Sequence, residues 1–387
     1  MIQEYDSART LALSDPGAAP DGWAPDAVIQ LSAPLLDKLM TTALTPAPTF
    51  GDDISVALLT LTPQLTLETL KIAPAANCVE CLTVAIGLGG TVKWATMLGS
   101  SEAGLKVGAT LDMALSIEPI DPATAPTVDG VAKTGFAIGV SPRSLNDVSV
   151  ELAGAKSTID LSGPVIGWVQ SAVLAGIPSI PITEIGTETA PVRGIRISSQ
   201  NQALRVDVLT GARIPGVLPA DLPAPTDGFR VDVAVDSLLA IARAQAFSTG
   251  AIAHGVLGEP TMLDLRSDAF SVGLRLWRTT GSGWWRDYQI DGTWTLADGE
   301  LKMSPGGVKD LGHSRGAAIA DPLVALGEGI LQKALGNAVN TTVPTRSGAL
   351  AGMNGELVVD GFDAKDGVLT LNGTFQNLPP QRFYGGK

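Results

Sequence analysis

Two spacings of apolar residues alternate along the chain. Leu35, Leu36, Leu39 and Met40 recur at helical period behind Ser32 and Pro34. A serine oxygen there accepts a first-turn N–H, and proline's missing donor costs nothing in that turn, so the pattern predicts a helix entry. Ala27 to Leu31, just before it, reads as extended. Period-two sequence follows: LTLETLKIA, LTVAIGLGGTVKWATML, GLKVGATLDMALSIEPI, TGFAIGVS and VSVELAG, broken by Gly, Asn and Asp. Such alternation between turn residues predicts antiparallel hairpins. From about Asp160, GPVIGWVQSAVLAG returns to helical period with Val165, Ile166, Val169 and Val173 on one stripe. GIRISSQNQALRVDVLTG, at 194–211, closes as a hairpin.

The same order recurs beyond GARIPGVLPADLPAPTDG, residues 211–228, whose four prolines interrupt any ladder or helix. Val231, Val233 and Val235 alternate as a strand, Asp236 or Ser237 caps, and Leu238, Leu239, Ile241 and Ala242 continue as a helix. FSVGLRLWRTT, WWRDYQIDGTWTLA and GELKM read as strands. A second helix from Asp321-Pro322 carries Leu323, Leu326, Ile330, Leu331, Leu335 and Val339, and 355–375 forms the last hairpin. The fold class is α+β. The chain divides into an extended N-terminal segment (1–26), a first module (27–210), a linker (211–228) and a second module (229–387).

Helix, several strands, helix and hairpin, given twice, resembles the tubular lipid-binding superfamily, the group of bactericidal/permeability-increasing protein. The likeness spans most of residues 26–375 and rests on element order, not on a motif. It implies two pseudo-repeated modules, each a highly twisted antiparallel sheet curled around apolar helices and holding lipid in an apolar tube. It implies no catalytic residues. On that implication the cavity is lined by Leu35, Leu36, Leu39, Val165, Ile166, Val169 and Val173, with Leu238, Leu239, Leu323, Leu326 and Ile330 as counterparts. The short first helices and a second module of only 159 residues, 229–387, depart from the family pattern.

The Ala, Gly, Val and Thr of these strands suggest small side chains facing inward and an under-filled interior. A phospholipid, fatty acid, sterol or hopanoid would gain about 0.8 kcal/mol per buried CH2 there. The plainer alternative is that the same side chains fill the core, leaving a ligand-free assembly scaffold.

Charge narrows the partners. With 26 basic residues against 39 acidic ones the chain carries −13, which repels a phosphate backbone and excludes nucleic acid as a partner. Mean hydropathy is +0.25, yet no run of about 18 apolar residues spans a bilayer. The apolar material must fill cores, line a cavity or face a partner. The first 26 residues lack a basic region before an apolar stretch, so the chain is either intracellular or a mature form; the lipid-carrier role that the resemblance implies favours a periplasmic or secreted chain, with a cytoplasmic one as the alternative.

Trp277, Trp284 and Trp285 flank Gly281, Ser282 and Gly283, with Arg278 and Arg286 beside them. Indoles and guanidiniums at a hairpin tip suit transient contact with a membrane or a carrier protein. Packing beneath a sheet edge is the plainer reading.

Enzyme signals are weaker. Gly312-His313-Ser314-Arg315-Gly316 matches the nucleophile-elbow pattern, but no histidine follows Ser314 to serve as its base, and His254 lies upstream. Cys78 and Cys81 have half-zinc spacing with no second pair, which leaves a local disulfide or two thiols. DGFDAKDG, at 360–367, lacks calcium-loop spacing and reads as a hairpin turn at Asp366-Gly367. No cofactor, metal or catalysis is expected.

Overall fold

The computed structural model describes residues 2–56, 59–73, 81–96, 99–120, 127–128, 131–153, 162–187, 191–200, 203–249, 255–281, 283–297, 300–314 and 355–377. In chain order the elements are α1 (Ile2–Leu13), β1 (Ala27–Ser32), α2 (Ala33–Ala43), β2 (Thr49–Phe50), β3 (Ile54–Val56), β4 (Leu59–Ala73), β5 (Cys81–Thr96), β6 (Gly99–Pro119), β7 (Thr127–Val128), β8 (Val131–Ala153), α3 (Ser162–Gly176), β9 (Ile180–Thr187), β10 (Val192–Gln200) and β11 (Ala203–Thr210). Beyond residues 211–228 come β12 (Phe229–Ala234), α4 (Val235–Thr249), β13 (Val256–Leu265), β14 (Ala269–Arg278), β15 (Trp284–Ala297), β16 (Glu300–His313), β17 (Gly355–Lys365) and β18 (Val368–Asn377).

The fold is α+β and sheet-rich, and every pairing between described strands is antiparallel. A central sheet has the order β10-β11-β1-β12-β18-β17. An eight-stranded sheet, β2-β4-β5-β6-β8-β7 with β3 on β4 and β9 on β8, takes up the first half; β13-β14-β15-β16 forms a third sheet in the second. The halves meet where β1 pairs β12, Ile29 opposite Val231. Each of these two strands runs directly into a helix. At Ser32 the hydroxyl accepts the Leu35 N–H at 3.3 Å, with Pro34 in the first turn of α2.

One face of the central sheet is apolar. Ile29, Val206, Val231, Phe229, Leu369 and Leu371 on it are at most 4% exposed and belong to a single core continuous with both flanking sheets. On the other face Arg205 pairs with Asp207, while Arg230 pairs with fully buried Asp232. Residues 211–228 hold neither helix nor strand, but they are not a free tether: Leu218 is buried with Val28 and Ala234.

β6 and β8 hold 21 and 23 residues, lengths of roughly 70 Å at which right-handed strand twist accumulates strongly. Register shifts at Gly108/Thr110 and Asp112/Met113 bend the pair further. The large side chains of these strands point inward. β5 buries Leu82, Val84, Ile86 and Leu88, and β6 buries Leu105, Val107, Leu111 and Met113, none more than 4% exposed. The expectation of small residues facing inward is corrected in part: Ala103 and Ala109 do face the core, but alternation sends Thr83, Ala85, Gly108 and Thr110 to the other face.

The N-terminal segment is also corrected, because residues 2–13 form α1 rather than extended chain. From Gln3 onward only Tyr5, Ala8 and Ala12 of this helix are partly buried, too narrow a stripe for hydrophobic period to register. Its anchor is Tyr5, whose ring lies 5.7 Å from Phe247 and 5.9 Å from Trp277.

The Asp37 carboxylate ties α2 to β4 by accepting the Ile72 N–H. Burial holds its pKa above the usual aspartate value, opposed by that hydrogen bond and by Lys71. The folded state therefore holds the proton more tightly than the unfolded chain. This contribution to stability is complete below the ordinary aspartate pKa and is lost as pH rises through the raised one. Asp37→Asn keeps an acceptor for Ile72 and removes the loss. Its urea midpoint should exceed wild type near pH 7 and match it near pH 3, as urea titrations at the two pH values would read out.

Candidate functional site

α3 is built from two stripes with different work to do. Val165, Val169 and Val173 are at most 1% exposed and enter the core, and Ile166 is half-buried. The neighbouring face carries Ala172, Ala175 and Gly176, too small to close the space against the sheet. A cleft of about 850 Å3 results, walled by these residues, by Thr49, Phe50, Gly51 and Asp52, by Gln64, Leu65 and Thr66 of β4, and by Gly90 and Thr91 of β5. That volume lies within the range of small-molecule sites, roughly 300–1,000 Å3.

Its floor and its rim differ chemically. Phe50 and Leu65 are 5% and 1% exposed and join the cleft to the continuous core. Close approach fixes glycine at two points: a Cβ on Gly176 would lie 2.7 Å from Phe50 Cε1, and one on Gly90 would lie 1.9 Å from the Gln64 carbonyl oxygen. Thr49, Asp52, Gln64, Thr66 and Thr91 supply the polar part of the lining. Asp53 beside them is engaged by the Thr62 hydroxyl at 2.6 Å. A small, largely covered apolar floor thus lies under a wider hydrogen-bonding rim.

The residues proposed from sequence lie elsewhere in the same core. Leu35, Leu36 and Leu39 of α2 and Leu238 of α4 are buried, and Leu239 is half-buried against them. None of them, nor the α3 valines, lines the cleft. Leu323, Leu326 and Ile330 lie outside the described residues, as does His254. The cleft residues carried one legible sign, the small positions Ala172, Ala175 and Gly176 beside the valine stripe.

The tryptophans pack inward. Trp277 is 2% exposed, its Nε1 donating at 2.8 Å to Glu259, itself 3% exposed and paired with Arg243. Trp284 is 7% exposed and Trp285 is half-buried. Arg275 lies over the Trp277 and Trp285 rings at 5.3 and 4.8 Å.

Ser314 ends an antiparallel edge pairing. Its Oγ accepts the Trp285 N–H at 2.9 Å, and its own N–H donates to the Trp285 carbonyl at 3.0 Å. Cys81 is disulfide-bonded, and the sequence holds one other cysteine, Cys78. Asp366 and Gly367, at φ 52° and 76°, make the two-residue turn between β17 and β18. Among the described residues no group of three or more His, Cys, Asp or Glu is placed to hold a metal ion, and no helix is long and apolar enough to cross a membrane.

No protein-family model matches the chain, and no curated protein sequence does. Among solved structures it is similar to a crystal structure of lipopolysaccharide binding protein, at 15% identity and a TM-score of 0.32, covering 92% of this chain and 100% of that one. It is also similar to P47 from Clostridium botulinum A2, at 8% identity and a TM-score of 0.37, covering 90% and 97%. Both superpose loosely, and the fold described above rests on strand pairing alone.

Proposed function

We propose that the chain binds an amphiphile without transforming it, seating the apolar chain on Phe50 and Leu65 and the polar head at the cleft rim, and shuttles it between membranes. The observation that carries this reading is the cleft of about 850 Å3 opening between α3 and the eight-stranded sheet onto the core. Each CH2 that the cleft buries stabilises the complex by about 0.8 kcal/mol, so affinity should rise with chain length until the cleft is filled. The non-catalytic part of the proposal is supported by Ser314, whose hydroxyl is engaged with the β15 backbone. A periplasmic or secreted location is part of the same proposal, supported by the disulfide at Cys81.

The pseudo-repeat of a tubular lipid-binding fold also belongs to this reading. The pairing order supports it: β1 lies on the hairpin β10-β11 as β12 lies on β17-β18, the two sets meeting back to back. A second reading, a ligand-free scaffold, is favoured by the tight burial of the β5 and β6 leucines.

Ala175 is exposed at the cleft wall, so a larger side chain there obstructs the space without entering the core. Equilibrium dialysis against dodecanol should give saturable one-to-one binding to the wild type. Ala175→Trp should weaken it about tenfold, the loss of roughly two CH2 contacts. Absence of binding, or equal binding by the variant, contradicts the cleft reading.

A further inference from the structure

We propose that the cleft selects amphiphiles with a cationic amine head and rejects those with a carboxylate or other anionic head, with Asp52 setting the preference. The inference rests on the cleft reading above and adds the charge class of its ligand.

The rim decides it. Among the described residues that line it, one is charged, Asp52, and none is Lys, Arg or His. Its carboxylate makes no hydrogen bond or ion pair with any described residue. The same holds for the side chains of Thr49, Gln64, Thr66 and Thr91 around the cleft. Neighbouring Asp53 is already engaged by Thr62. A primary ammonium brings three donors and no acceptor. It matches a free carboxylate, the Gln64 carbonyl oxygen and threonine hydroxyls, all of which can accept. An anionic head would meet the Asp52 charge with no cation among the described lining residues to offset it. The net charge of −13 adds to that opposition at long range.

The test compares three ligands of equal chain length, below their aggregation concentrations: dodecylamine, dodecanol and dodecanoate. At low salt and near-neutral pH the wild type should bind dodecylamine at least about tenfold more tightly than dodecanoate, with dodecanol between them. Asp52→Asn, an exposed and conservative change, should collapse the gap by weakening the amine and strengthening the carboxylate. The wild-type gap should also narrow as salt is raised. Equal binding of amine and carboxylate, or a gap unchanged in Asp52→Asn, overturns the head-group inference while dodecanol binding leaves the cleft reading standing. If none of the three binds, or all bind Ala175→Trp as well as wild type, both fall together.

Discussion

Asp26→Ala is expected to lower the stability of the whole chain by about 3 kcal/mol. Asp26 is fully buried and sits at the junction of the halves. One carboxylate oxygen accepts the Thr210 N–H at 2.8 Å; the other accepts the Thr210 and Ser237 hydroxyls at 2.6 and 2.7 Å. The end of β11 and the start of α4 are thereby held on the residue that precedes β1. Ser237 passes the linkage on, its Oγ accepting the Gly216 N–H at 2.8 Å from the segment that crosses the sheet. Alanine would strand buried donors, each costing about 1–3 kcal/mol, while the hydroxyls recover part of the loss by turning to other acceptors. Asp26→Asn keeps one acceptor and should lose about half as much. The urea midpoint reads the energy, and trypsin cleavage after exposed Arg213 should accelerate if residues 211–228 loosen with it. An unchanged midpoint would show that the junction is held by apolar packing alone.

Phe229→Ala should cost about 3–5 kcal/mol. Among the described residues Phe229 is one of the two buried phenylalanines on the central sheet's apolar face, with Phe375, and is 1% exposed. It stands opposite Leu31 on one side and Gly373 on the other. The absence of a side chain at Gly373 makes room for its ring: a Cβ there would lie 2.4 Å from Phe229 Cζ. With β12 between β1 and β18, the cavity left by alanine is walled by paired strands that cannot collapse onto it. Phe229→Leu keeps most of the volume and should cost under about 1.5 kcal/mol. Thermal and urea denaturation of the two variants would separate cavity formation from loss of aromatic contact.

Much of the secondary structure was legible because its causes are local. Ser32 and Pro34 open α2, period two runs through the long strands, Asp366-Gly367 turns the last hairpin, and the prolines of 211–228 bar regular structure. What was hidden depends on contacts distant in sequence. The pairing of Ile29 with Val231 joins strands some two hundred residues apart, and no spacing announces it. α1 has almost no apolar stripe and owes its place to Tyr5 beside Phe247 and Trp277. Composition does not carry the direction of the side chains, because strands rich in Ala and Gly say nothing about phase. Once Leu82 and Leu105 are inside, period two carries Thr83, Ala85, Gly108 and Thr110 out. The cleft is hidden for a related reason: the large residues of α3 mark its core face, and the space lies where the small ones are.

The most direct test of the account is mass spectrometry of an organic extract from wild-type protein purified without detergent, beside Ala175→Trp prepared identically. The account predicts an amphiphile approaching one molecule per chain in the wild type and its depletion in the variant. A wild-type extract without amphiphile, or equal amounts from both proteins, would contradict it.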